Sequence, residues 1–313
     1  MRALRGTALA ALCLTFVVVV VGAYVRLSDA GLGCPDWPLC YGNPMPAQIA
    51  DGDALAKAWK EMGHRYLAGS LGALLVLLMF FSFRLKQSRG LAAAIVALVV
   101  VQATLGMWTV TMLLKPAIVT AHLLGGMTIL ALLAWYVLLQ GKYAAAPETR
   151  ALRAAAAAAL AMLAIQIALG GWVSANYAAL ACLDLPLCRG QLTPPMDFAN
   201  AFHVVRSLGQ TAEGGLLTNE ALTAIHWTHR MFALVVVVVA SFASIHSYRV
   251  QSMRRIGILI AVILGVQFLL GLANVAFSLP LPLAAAHNAG AALLLLALVV
   301  LNFFSFRGLR PSW

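Results

Sequence analysis

Eight stretches of mainly apolar residues, each long enough to cross a bilayer, alternate with polar segments along the chain. They fall at roughly 7–26, 64–83, 91–112, 119–139, 154–174, 226–246, 256–277 and 285–304. A spanning helix needs ~20 such residues to cover a hydrocarbon core of ~30 Å. The pattern predicts an all-α integral membrane protein with eight transmembrane helices. The first stretch follows Arg2 and Arg5, as the core of a secretory signal would. It is longer than the roughly 7–15 residues of such a core, and an internal duplication gives it a counterpart, so it is read as a span.

Composition agrees. The chain is 63% hydrophobic and 10% charged, where a soluble domain carries about 25% charged residues. The net charge of +11 would point to nucleic acid in a soluble protein, but its placement excludes that reading here. Arg2, Arg5, Arg84, Lys86, Arg89, Lys142, Arg150, Arg153, Arg249, Arg254, Arg255, Arg307 and Arg310 lie at the termini or in alternate loops, and every acid except Glu148 lies on the opposite side. Short cationic segments stay in the cytoplasm. Both termini are therefore expected inside, and the long 27–63 and 175–225 loops outside.

The chain repeats itself. His64-Arg65 returns as His229-Arg230, Ala121-His122 as Ala286-His287, Gln102 as Gln267 and Gly106 as Gly271, all at an offset of 165 residues. Upstream, GAYVRLSDAGLGCPDWPLC from Gly22 to Cys40 pairs with GGWVSANYAALACLDLPLC from Gly170 to Cys188 at an offset of 148. The difference of 17 is extra outer loop, around Pro194, Pro195 and Gly214-Gly215. Each half holds four spans and begins inside, which predicts two four-helix bundles, 1–148 and 149–313, as parallel repeats about an axis along the membrane normal. Gln102 and Gln267 read as interhelical hydrogen-bond glue in preference to ligand contacts, and the alanine run 154–159 as a close-packing surface.

The four repeated histidines carry the chemistry. His64, His122, His229 and His287 stand near the outer ends of spans two, four, six and eight. One from the second and one from the fourth helix of each half can meet across its interior. Intramembrane ionisable residues default to a functional role, and a facing imidazole pair can ligate a haem iron from both sides. Zinc is disfavoured because no carboxylate or cysteine cluster completes four ligands. His203, in an outer loop, and His246, at a cytoplasmic end, read as structural.

The repeat breaks at one informative place. Glu61-x-x-His64 in the first half becomes His226-x-x-His229 in the second, and residues three apart share a helix face. A carboxylate beside a bound macrocycle can take protons or stabilise a developing cation. Alternatively, Glu61 pairs with Arg65, Lys57 or Lys60. Arg65, Arg230 and His226 are candidates for contacting haem propionates or supporting the ligands, and the two arginines equally for interface anchors. Cys34 with Cys40, and Cys182 with Cys188, lie on the oxidising face and read as disulfides, either as loop staples or as electron exchangers with a partner thiol. Cys13 stands alone in the first span.

GAYVRLSDAGLGCPDWPLCYG, EMGHR, TAHLLGG, THR and AAHNAG resemble, in order and over nearly the whole chain, the haem A synthase family, in its bacterial branch with a disulfide in each large outer loop. That resemblance implies oxidation of the C8 methyl of haem O to the formyl group of haem A for cytochrome oxidase, through a hydroxymethyl intermediate with oxygen from water. It implies haem b as cofactor on His229 and His287, haem O on His64 and His122, Glu61 as the catalytic glutamate, and a role for Cys34 and Cys40 in catalysis or haem transfer. It also implies the bacterial inner membrane as location, with haem O synthase (the protohaem farnesyltransferase), oxidase assembly factors and an electron acceptor that no motif identifies as partners. Ser28-Asp29-Ala30 stands where the family more often has Thr-x-Ser. The rival classes are a b-type electron carrier, which calls for haems at different depths, and a haem transporter or chaperone, which has no need of the Glu61/His226 difference.

Overall fold

The computed structural model describes residues 2–46, 49, 51–145 and 150–311. Glu148, the one acid expected on the cytoplasmic side, and the division between 148 and 149 lie outside them. Among the described residues, eight long helices carry the chain: α1 (Arg2–Leu27), α2 (Gly52–Arg84), α3 (Arg89–Thr111), α4 (Pro116–Leu139), α5 (Arg150–Ala175), α7 (Asn219–Arg249), α8 (Arg254–Ala276) and α9 (Leu281–Arg307), with a one-turn helix α6 (Phe198–Ala201) in the long loop before α7. All eight are long and apolar enough to cross a membrane, which fits a multi-pass membrane protein. A two-residue antiparallel ladder, Ala144–Ala145 with Leu309–Arg310, ties the central loop to the C-terminal end.

The apolar pattern located the spans but not the helix starts. α2 begins at Gly52 and α7 at Asn219, well before the apolar stretches. Asp51 caps α2 by accepting the Asp53 N–H at 2.9 Å, and Thr218 caps α7 by accepting the Ala221 N–H at 3.2 Å. Such side chains satisfy amide donors that have no partner within the helix, so each helix extends outward past its apolar part. His64 and His229 thus lie inside their helices rather than at their first residues.

Packing follows chain order. α1 contacts α2 and α4, α2 contacts α3, and α3 contacts α4; in the same way α5 contacts α7 and α9, α7 contacts α8, and α8 contacts α9. The two sets meet where α4 and α1 lie against α9, and α4 against α5. α9 is the inner helix: 67% of its apolar window is buried in the protein, against 11% for α3, whose remaining surface suits lipid. Ala155, Ala156 and Ala159 are buried in this core, and the Asn302 amide donates to the Ala156 carbonyl at 2.9 Å, so α5 and α9 approach closely along the alanine run. At the C-terminal ends of α1 and α5, Arg26 donates to the Ser174 carbonyl at 2.7 Å and lies over the Tyr177 ring at 3.9 Å.

Candidate functional site

Each repeated histidine lies against a glycine of a neighbouring helix. A Cβ on Gly22 of α1 would stand 2.8 Å from Cε1 of His64, and one on Gly170 of α5 would stand 3.0 Å from Cε1 of His229. On the other side, Cβ atoms on Gly106 and Gly271 would each stand 3.3 Å from Cε1 of His122 and His287. These glycines leave room for rings packed against backbone, and they recur at the offsets of the sequence repeat. The Nδ1 atoms of all four rings are buried without a hydrogen-bond partner. Buried polar atoms are nearly always satisfied, so four orphaned imidazole nitrogens in two matched pairs fit a ligand that engages the rings. Among the described residues, no group of three or more His, Cys, Asp or Glu is placed to hold a bare metal ion.

The glutamines flank these rings. Gln267 donates to the His287 carbonyl at 2.9 Å with its amide 3.4 Å from Nε2 of the ring. Gln166 of α5 stands in the same relation to His229, at 3.1 Å from its carbonyl and 3.4 Å from its Nε2. Gln166 was not singled out from the sequence. Its counterpart at the 148 offset is Val18, and a lone amide where the other half has a valine was the available signal.

The disulfide loops sit on the N-terminal parts of α2 and α7. Cys34 is bonded to Cys40 and Cys182 to Cys188, which leaves these thiols unable to hold zinc. In each loop an aspartate clasps the following turn. Asp36 accepts the amides of Tyr41 at 2.7 Å and Gly42 at 2.8 Å, and Asp184 accepts those of Arg189 and Gly190 at 2.7 Å each. Hydrogen bonds from Gly190 and then Arg189 hold the Asp184 carboxyl below its usual range. Burial pushes Asp36 up, but the amides of Gly42 and Tyr41 outweigh it and leave that carboxyl lowered as well.

Arg65 donates to the carbonyls of Asp36 at 2.9 Å and Leu39 at 2.8 Å. Arg230 does the equivalent with Pro186 and Leu187 at 3.1 Å each, and its Nη1 is left buried without a partner. Both arginines therefore anchor a loop. Glu61 is 4% exposed, is ion-paired with Arg65, and accepts the Cys34 amide on its second oxygen at 2.9 Å. Lys57 instead pairs with Asp53. In the second half, the Cys182 amide meets Nδ1 of His226 at 3.3 Å. The Glu61/His226 exchange therefore occurs at one structural position, where the disulfide loop touches the helix one turn outward of the histidine. Of the remaining histidines, His246 lies against Phe242 near the C-terminal end of α7, and His203 is exposed in the long loop.

A protein with eight helices able to span a membrane, and with two repeated histidines and a disulfide loop in each half, is the class that fold and site define. The chain belongs to the COX15-CtaA family, described as cytochrome oxidase assembly protein, whose family model matches residues 5–299. It is 40% identical to Heme A synthase of Shewanella oneidensis, with 94% of each chain covered. It is 32% identical to Heme A synthase of Symbiobacterium thermophilum over 63% of this chain and 67% of that one. With Heme A synthase of Caulobacter vibrioides the identity is 27% over 95% and 94% of the two chains.

Proposed function

We propose that this chain is a haem A synthase, with haem O as substrate in the first half and haem b as cofactor in the second. The observation that carries the reading is the matched set of histidine pairs with orphaned Nδ1 atoms, in a chain so similar to Heme A synthases. His229 and His287 would hold haem b, which supplies electron acceptance when bound. His64 and His122 would hold haem O. Residues 1–148 form the substrate bundle and 149–313 the cofactor bundle, a division supported by the chain-order packing of the helices.

The reaction oxidises the C8 methyl of haem O. In the first step water supplies a hydroxyl group while two electrons and two protons leave; a second such step gives a geminal diol, which loses water to form the aldehyde. His64 with His122, and His229 with His287, would each hold a haem through two imidazoles, an arrangement suited to electron withdrawal rather than to binding dioxygen. Glu61, one turn from His64 and fixed by Arg65 and the Cys34 amide, takes a proton from the attacking water. His226 cannot offer a carboxylate at the equivalent place, which makes the second half the electron-transfer site. The protein lies in the bacterial inner membrane with both termini cytoplasmic and the haem sites towards the outer face, as the cationic loops support. Its further partners are haem O synthase, oxidase assembly factors and an electron acceptor.

Expression in cells that make haem O but no haem A, followed by mass spectrometry of extracted haems, tests the reading. Haem A and its alcohol precursor are expected. Bound haem b without either product would instead indicate an electron carrier, and unmodified haem O alone a transporter.

A further inference from the structure

The long outer loop places a buried cation over the second half and has no equivalent in the first. Arg206 is 5% exposed, although Val204 and Val205 just before it are 59% and 82% exposed. Its guanidinium donates to Asn176 Oδ1 at 2.6 Å and to the Gln210 carbonyl at 3.2 Å, and stacks over the Trp172 ring at 5.6 Å. Its Nε is buried without a partner. Among the described residues the ion pairs are Arg26 with Asp29, Lys57 with Asp53 and Arg65 with Glu61; Arg206 has no carboxylate. Burial lowers its proton affinity from the ordinary arginine value. A buried charge is costly unless it is paired, so a guanidinium with an unused donor and no counter-ion fits an anion brought by a ligand.

The surroundings indicate which ligand. Trp172 and Asn176 lie just outward of Gly170, the glycine that His229 packs against. Trp172 is 8% exposed and donates to the Ala201 carbonyl at 2.8 Å, so the extra loop is folded down onto α5. The equivalent residue of the first half, Tyr24, is 37% exposed. A haem held between His229 and His287 carries two propionate carboxylates on one edge. Ionised carboxylates are strongly disfavoured in hydrocarbon, so that edge turns outward, towards the loop.

We propose that Arg206 binds a propionate of the haem held by His229 and His287, so that the extra outer loop retains this haem. The inference rests on the cofactor reading of the second half. A charge-assisted bond between guanidinium and carboxylate is among the stronger hydrogen bonds available.

The full-length protein, purified with its haem, is compared as wild type, R206Q and R206K for haem loss to excess apomyoglobin and for midpoint potential. All three are expected to keep a bis-histidine low-spin spectrum. R206Q should lose haem about tenfold faster, which corresponds to ~1.4 kcal/mol. Its midpoint should also fall, because an unpaired propionate stabilises ferric iron, and R206K should lie between. With haem b dimethyl ester, which has no carboxylate, wild type and R206Q should lose haem at equal rates. A rate difference that persists with the ester would mean that Arg206 only holds the loop shut, and would overturn the proposal. Equal loss of unmodified haem from wild type and R206Q would do the same. Should R206Q fail to assemble, the wild type alone decides, since it must then release the ester faster than the free acid. A wild type with no bis-histidine signal would remove the cofactor reading itself, an outcome distinct from failure at Arg206.

Discussion

At Gly22 and Gly170 the absence of a side chain is what lets an imidazole lie against the backbone of the next helix. A methyl group there has no free space, since its nearest neighbour would be a buried histidine ring at 2.8 and 3.0 Å, and overpacking of this kind forces the ring or the helix to move. We expect G170A to lower the haem b content of purified protein several-fold and to disturb its low-spin spectrum. Gly265 of α8 has nothing within 4 Å, and G265A serves as the control with unchanged haem content. Unchanged haem in G170A would contradict the placement of His229 in a pocket against α5. At this scale the sequence was legible wherever residues repeat, because the four histidines and their glycines share two offsets. Gln166 and Arg206 escaped because each occurs in one half only, and Arg206 stands in a loop that had no second copy for comparison.

The element that links chemistry to scaffold is the disulfide loop. Its cysteine amide fixes Glu61, its carbonyls hold Arg65, and Asp36 closes its turn. Removing the clasp in D36A should speed reduction of Cys34–Cys40 by a small thiol several-fold while leaving Cys182–Cys188, clasped by Asp184, unchanged. Equal reduction of both bridges, read by mass spectrometry after alkylation, would contradict this role. Both aspartates have lowered folded pKa values, so the clasps contribute fully above the ordinary carboxylate value of ~3.9 and are lost only as pH falls through the depressed values. The apolar pattern revealed all eight spans, yet it missed the outer turns of α2 and α7. Those turns carry Lys57, Lys60 and Glu61 or follow Thr218, and capping with loop contacts stabilises a helix there without any apolar run.

For the whole molecule, the two halves repeat a pair of histidines at one offset and differ in the residues and loop around them. The same position holds Glu61 in one half and His226 in the other, and the extra loop covers only the second half. The repeat itself was readable from spacing alone, whereas the covering of one half depends on contacts between distant segments, such as Trp172 with Ala201, that no local pattern encodes. The measurement that tests this division most directly is the haem inventory of purified E61Q, made in cells that supply haem O. The variant is expected to contain haem b and unaltered haem O, with haem A and its alcohol precursor reduced at least about a hundredfold, in the range of a lost general base. Haem A at the wild-type level would contradict the account.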